Sequence, residues 1–391
     1  MAAAAVAAST VETAHLLFKV RSMKKFRLHL VALPHTWTAM SHSACAFTMK
    51  TLHFAQMMHS LGHEVIHYGC EGSDVPCEHV QILSRAEQEG FFGPYNPDAL
   101  YEVDWSGRAP YWKLTNERAA AEIVKRKRPG DFVCVIMGSL NLPLANAVGG
   151  DVLVVEYGIG YNGTFAKYRV FESYAHMHKV WGAQGGYDPD GKLYDAVIPN
   201  YLNPADYPLQ TEKQGYYLYL GRLIKRKGIH IAVETCKRLG VKLKIAGQGC
   251  TKVEGNRIYC SDGEVYEGDN LEYVGFATGD KRATLYGGAV ATFVPTTYIE
   301  PFGAVAIESQ MAGTPAITTD FGAFPETVEH GKTGFRCHTL NEFIWAAKMA
   351  PTLNPHNVHQ RSVARYAMDV VKWQYQTYFE RLHDLWGGGW Y

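Results

Sequence analysis

Residues 293–317, Phe-Val-Pro-Thr-Thr-Tyr-Ile-Glu-Pro-Phe-Gly-Ala-Val-Ala-Ile-Glu-Ser-Gln-Met-Ala-Gly-Thr-Pro-Ala-Ile, constrain the fold more than any other stretch. An apolar strand ends near Pro295 and a loop carries Glu300 to Gly303. A helix-compatible run from Ala304 to Met311 then stops at Ala312-Gly313-Thr314-Pro315, where glycine and proline both disfavour continuing. The result is a strand, a tight loop and a helix whose free N-terminus points out of the sheet. Backbone N–H groups of Phe302, Gly303 and Ala304 lack intrahelical partners in such a unit, and the helix dipole adds partial positive charge, so an anion is the natural ligand. Gly303 lets that ligand approach the backbone closely. Glu300 and Glu308 would repel a phosphate at close range and are suited instead to accept hydrogen bonds from hydroxyls on either side of it. Eight helical positions cover about 12 Å, the scale of a sugar–diphosphate–ribose unit. Taken alone, Glu300 reads better as a loop carboxylate and Glu308 as a solvated helix position; the flanking sequence reverses that preference in favour of the binding role.

A chain of 391 residues is long enough for two domains with separate cores. With 38 basic and 38 acidic residues its net charge is zero, so no global field argues for nucleic acid, and any anion site must be local. The eight cysteines contain no Cys-x-x-Cys pair and no dense framework, which favours reduced thiols and a cytoplasmic setting. No run has the apolar length needed to span a bilayer. Residues 1–22 are Ala-rich, carry Glu12 and lack a basic region ahead of their apolar part. They read as an appended or disordered extension rather than a secretory signal. Arg21, Lys24, Lys25 and Arg27 read as a solvated edge, with weak peripheral contact to an anionic membrane as the alternative.

Phe26 to Leu33 alternates and then becomes continuously apolar, as a buried parallel strand does. A polar loop over 34–44, a helix from about Cys45 to Leu61 and a strand over 62–68 complete a βαβ unit, which places that loop at the ligand-binding edge of the sheet. His35, Thr36, Ser41, His42 and Ser43 are candidates there for acceptor or phosphate contacts, against plain loop polarity. The stretch 71–113 lacks a clear period but is rich in aromatics, including Phe91, Phe92, Tyr95, Trp105, Tyr111 and Trp112. It fits a sugar-binding wall and loop packing equally well. Strands over 131–137 and 151–156 follow, the second ending in Glu156-Tyr-Gly-Ile-Gly, and 168–178 reads as a helix. Asp188-Pro-Asp190 sits among glycines and reads as a turn rather than a metal site.

Pro/Asn punctuation over 197–206 marks a linker, after which α/β alternation restarts. A strand over 216–220 leads into the basic loop Gly221-Arg-Leu-Ile-Lys-Arg-Lys-Gly228 and a helix from Ile229 to Leu239. Arg222 offers a planar fork and Lys227 a mobile point charge, a complementary pair for the two phosphates of a diphosphate. Gly247-Gln-Gly249 ends the next strand, and Leu271 to Phe276 forms another. A last helix from about Val358 to Trp386 keeps apolar positions at helical spacing.

Glu300-Pro-Phe-Gly-Ala-Val-Ala-Ile-Glu308, followed by Met-Ala-Gly-Thr-Pro-Ala-Ile, resembles the E-x7-E signature of retaining GT-B glycosyltransferases, in particular family 4 of the sugar-nucleotide-dependent enzymes. The Gly-Arg…Lys-Gly spacing over 221–228, Thr318 to Glu326 and Gly331-Lys-Thr-Gly334 resemble further motifs of the family. The match is specific over about 215–335 and architectural over 23–205. It implies an α/β GT-B fold of two Rossmann-like domains facing a cleft: an acceptor-binding domain over 23–204, a nucleotide-sugar-binding domain over 205–357, and a C-terminal helix over 358–391 crossing back to the first. It implies a metal-independent hexosyltransferase acting on a UDP-, GDP- or ADP-sugar and on a carbohydrate or lipid acceptor. Arg222, Lys227 and Glu300 are then catalytic. Glu308, Phe302, Gly303, Ala304, Val305, Gly249, Val274, Gly275 and Phe276 bind donor, with Val274 to Phe276 at the nucleobase. The family often places a histidine against the reacting sugar where this chain has Glu156. His42, Glu156 and Tyr157 are acceptor-side candidates, with a structural carboxylate as the other reading of Glu156. A GT-B-like sugar-nucleotide epimerase and a catalytically silent sugar-nucleotide-binding protein share the architecture and are the alternatives.

Overall fold

The computed structural model describes residues 23–96 and 102–388, so the expectation for residues 1–22 lies outside the described residues. Two parallel sheets build the molecule. The first has order β3-β2-β1-β4-β5-β6-β7, from β1 Arg27–Val31, β2 Glu64–Cys70, β3 Glu78–Leu83, β4 Phe132–Val135, β5 Leu153–Ile159, β6 Tyr168–Phe171 and β7 Ala196–Val197. The second uses β8 Tyr216–Leu220, β9 Leu243–Ala246, β13 Leu271–Tyr273, β14 Ala289–Val294, β15 Ala316–Thr319 and β16 Gly334–Cys337, in the order β13-β9-β8-β14-β15-β16. Between β9 and β13 the chain forms an antiparallel excursion, β10 Cys250–Glu254, β11 Arg257–Cys260 and β12 Val265–Glu267. Its turns at Glu254-Gly-Asn-Arg257 and Ser261-Asp-Gly263 are legible in the sequence, but the strands are short and mostly exposed.

Both sheets reverse direction of winding at their centre. In the second, β8 and β14 are neighbours, so the loops leaving their carboxyl ends, 221–228 and 295–303, flank the switch point where open α/β sheets bind ligands. In the first, β1 and β4 flank the equivalent point, and the 34–44 loop leaves β1 there. The central strands are buried on both faces, as their unbroken apolar runs require: Leu28, Leu30 and Phe132 to Val135 are fully covered.

The expected helix over 168–178 is instead strand β6 followed by helix Tyr174–Gly185. Tyr168-Arg-Val-Phe pairs in parallel with β5, and Ser173 terminates it by accepting the His176 N–H as N-cap. Within 71–113 the chain forms β3 and helix Arg85–Phe92, opened by a reciprocal Ser84/Glu87 capping box. The C-terminal helix is two helices. Pro355–Tyr366 stays on the second domain against Ala304–Met311, while Met368–Gly388 crosses to the first. The break is at Ala367, whose extended backbone bridges Leu202 of the linker. Leu202 donates to Tyr366 O and accepts from Met368 N, both at 3.0 Å, so the two interdomain crossings run side by side. The crossing helix buries Val371, Tyr375, Phe379 and Leu382 in the first core, with Tyr375 edge-on to Phe54 at 5.1 Å. The domain boundary therefore falls at 367 rather than 358.

Candidate active site

The basic loop and the 295–303 loop are joined directly. Thr297 N donates to Arg226 O at 3.0 Å, and the Tyr298 ring lies beneath the Arg226 guanidinium at 4.3 Å and the Lys227 ammonium at 4.9 Å. Gly228 makes this approach possible. Its φ is 77°, and a Cβ there would sit 1.9 Å from the Pro295 carbonyl oxygen. Gly228→Ala is therefore expected to push the two loops apart. A loss of nucleotide binding well beyond the fall in stability checks this; unchanged binding would show that the loops need not touch.

Lys227 Nζ and Glu300 Oε2 are 2.9 Å apart, an ion pair whose side chains are 22 % and 13 % exposed. Arg222 is exposed, and among the described residues its guanidinium has no hydrogen-bond partner. Helix Ala304–Met311 begins at Gly303, φ 80°, with no side chain capping it. A Cβ at Gly303 would come within 2.6 Å of the Phe324 ring, so the bare backbone is required there as well. Gly303, Ala304 and Val305 face the same cavity as Arg222, Lys227, Glu300 and Glu308, a space of about 850 Å³ between the two domains. Cations and helix amides thus converge at the sheet's switch point, with one carboxylate at each end.

Glu308 is nearly buried. Its Oε2 accepts from Tyr286 Oη at 2.6 Å and pairs with the Arg282 guanidinium. Arg282 and Tyr286 are four apart on helix Gly279–Gly288 and so reach the same oxygen. Asp206 and Tyr207 of the linker and His53 of helix Ala46–Ser60 line the same end of the cavity. Burial first, then Glu308, raises the Asp206 carboxyl above its ordinary value. The sequence reading missed Arg282; its position four residues before Tyr286 carries no motif.

Phe302, expected at the donor, is not part of the cavity lining, and its ring is buried against Tyr366 with centroids 5.6 Å apart. Phe276 lines the cavity, whereas Gly249, Val274 and Gly275 do not. The carbonyls of Val274 and Phe276 accept from Lys281 Nζ at 2.7 and 3.1 Å, so Lys281 shapes the rim expected at the nucleobase. On the first domain His35, Thr36, His42 and Ser43 reach the cavity and Ser41 does not. The acceptor-side expectation for Glu156 and Tyr157 is corrected: both are fully buried and outside the lining. Glu156 accepts from Phe165 N and Ala166 N at 2.9 Å and from Tyr161 Oη at 3.1 Å, and so ties down the loop after β5. The Tyr157 hydroxyl meets Thr51 Oγ1 at 2.9 Å. Arg169, on the neighbouring strand, pairs with Asp195.

The domains also touch beside the 300-loop. Ser173 Oγ donates to Pro301 O at 2.6 Å, and the two Glu326 oxygens accept from Tyr174 N and Ala175 N at 2.9 Å. A second-domain carboxylate thereby satisfies two orphan amides at the start of a first-domain helix. Among the described residues no group of three or more His, Cys, Asp or Glu converges in a way that could hold a metal ion, and no helix is long and apolar enough to cross a membrane.

Comparison with known proteins bears on these same residues. The family described as Glycosyl transferases group 1 matches residues 207–361, the segment that holds both loops and both glutamates. D-inositol 3-phosphate glycosyltransferase of Corynebacterium jeikeium is 31% identical over 298 residues, 73% of this chain and 67% of that protein. Glycogen synthase of Mycobacterium tuberculosis is 33% identical over 174 residues, 42% of this chain and 41% of the synthase, so the chain spans about two-fifths of that relative. Among solved structures, sucrose-phosphate synthase of Thermosynechococcus elongatus superposes with a TM-score of 0.65 at 18% identity, over 92% of this chain and 100% of that one. A glycosyltransferase involved in avilamycin A biosynthesis gives 0.63 at 17% identity, over 92% and 98%.

Proposed function

The chain belongs to the glycosyl transferases group 1 family, and from that membership we propose that it is a retaining, metal-independent hexosyltransferase of the family 4 type. The GT-B fold supplies the cleft. The nucleoside diphosphate sugar lies on the second domain, its diphosphate between Arg222, Lys227 and the amides of Gly303 to Val305, its hexose at Glu300 and its ribose at Glu308. The observation that carries this reading is the convergence of the 221–228 turn, the uncapped helix start and both glutamates on one cavity.

In the reaction the bond between the anomeric carbon and the diphosphate oxygen breaks, and the acceptor oxygen bonds to that carbon on the same face. The acceptor proton passes to a donor phosphate oxygen. The protein's work is then electrostatic: Arg222, Lys227 and the helix start stabilise the departing diphosphate in place of a metal ion, and their orientation is fixed before reaction. Glu300, held by Lys227, offers its other oxygen to hexose hydroxyls. The acceptor enters from the first domain beside His42.

Thermal-shift measurements with UDP-, GDP- and ADP-sugars test the reading. A ligand bound only by the folded state at a hundred times its Kd stabilises by about 2.7 kcal/mol, so one of the three is expected to raise the melting temperature clearly. No shift with any of them would contradict it.

A further inference from the structure

The two walls of the cavity differ in charge. The second domain contributes the cations Arg222, Lys227 and Arg282 together with the carboxylates of Asp206, Asp280, Glu300 and Glu308. Among the described residues that the first domain gives to the cavity, Lys50 is the one Lys, Arg, Asp or Glu; burial pulls its ammonium down to about 7, and it is already spoken for. Its ammonium pairs with Glu172 and donates to Gly158 O at 3.0 Å. The imidazoles on this wall are neutral at pH 7. Burial, with His42 nearby, pulls His35 down to about 3; burial, with Arg85 nearby, pulls His42 to about 4; burial pulls His53 to about 4. Arg85 lies outside the lining, stacked on Trp37 at 3.4 Å and bonded to Glu71 O and Gln88.

The structure also divides the aromatic stretch over 71–113 that the sequence left open. Phe91, Phe92 and Tyr111 pack on one another, as loop cores do. Trp105 lines the cavity half exposed, its ring perpendicular to that of His35 with centroids 5.6 Å apart and tilted against Trp112 at 6.2 Å. Its loop is pinned at Asp104, whose N–H donates to Tyr111 Oη at 2.7 Å and whose carbonyl accepts from Trp112 Nε1 at 2.8 Å. A half-exposed indole beside neutral donors and acceptors suits the apolar face of a pyranose, whereas among the described residues a phosphate on the acceptor would find no uncommitted cation on this wall.

Resting on the transferase reading above, we propose that the acceptor is an uncharged carbohydrate stacked on Trp105, and that this wall selects against phosphorylated sugars and polyols. The test is transfer from whichever sugar nucleotide stabilises the protein to matched pairs: glucose and glucose 6-phosphate, mannose and mannose 6-phosphate, myo-inositol and its 3-phosphate, with maltose and cellobiose as longer neutral members. Neutral members are expected to be accepted at least tenfold better than their phosphorylated counterparts. Trp105→Ala is expected to raise the acceptor KM about tenfold, with Trp105→Phe restoring most of it and the thermal shift by the sugar nucleotide unchanged. Preference for the phosphorylated members, no use of the neutral ones, or an unaltered KM in Trp105→Ala overturns the proposal. Failure of the wild type to bind any sugar nucleotide overturns the transferase reading itself and is recognised before any acceptor is added.

Discussion

Lys227→Ala is expected to lower sugar transfer by about two to three orders of magnitude while leaving the protein folded. A preorganised donor aimed at charge that develops in the transition state contributes about 2.7–4 kcal/mol, and the leaving diphosphate is where that charge appears. The substitution also removes the partner of Glu300, whose carboxylate lies 2.9 Å from Lys227 Nζ. An unpaired carboxylate beside the phosphates adds repulsion to the lost attraction. The stability change is small by comparison, because both side chains line the open cavity and the carboxylate left behind can be solvated there. The checks are kcat for transfer or donor hydrolysis alongside a denaturation midpoint. Lys227→Arg should retain part of the activity, since it keeps the charge but replaces a compact ammonium with a bulkier planar guanidinium. Near-normal turnover in Lys227→Ala would remove that residue from the diphosphate site.

The largest expected effect on stability comes from Glu172, far from any recognisable motif. Lys50 and Glu172 are 2 % and 8 % exposed, on helix Ala46–Ser60 and just after β6. Gly158 and Gly160 make room for them: a Cβ at either position would lie 2.5 Å from a Lys50 or Glu172 side-chain atom. Removing one partner strands the other as a buried charge, so Glu172→Ala is expected to cost about 3–5 kcal/mol by urea denaturation. Replacing both, Lys50→Met with Glu172→Leu, should return most of the loss and can exceed the wild type, because neither charge then needs desolvating. If the single and double variants are equally unstable, the cost lies in packing rather than in the uncompensated charge.

These two sites also show what a sequence of this kind reveals. The placement of Lys227, Glu300 and Glu308 on one cavity is legible because it is local: each sits at a fixed offset from a strand end or a helix start, and glycine marks the turns between. Helix Ala304–Met311 and helix Ile229–Leu239 match their expected spans for that reason. The Lys50–Glu172 pair joins residues 122 apart and leaves only glycines as a trace. Arg282 looks like any surface arginine of an amphipathic helix until its neighbour Glu308 is brought in from the next helix. Glu156 takes the second of its two readings: a carboxylate at a strand end is equally suited to holding a loop or facing a ligand, and the choice depends on where residues 165 and 166 return. At Ala367, propensity favours helix on both sides, and pairing with Leu202 of the linker forces the break. Tertiary pairing likewise decides residues 168–171, where a helical apolar spacing yields to the edge of β5.

The most direct measurement of the cationic rim is calorimetric titration of UDP, GDP and ADP and of the matching nucleosides into the wild type and into Arg222→Ala/Lys227→Ala. The nucleotide that binds the wild type should bind at least a hundredfold more tightly than its nucleoside, and the double variant should lose most of that advantage while still binding the nucleoside as before. Equal affinity of nucleotide and nucleoside for the wild type, or an undiminished phosphate contribution in the double variant, would place the diphosphate elsewhere and contradict the assignment of the 221–228 turn.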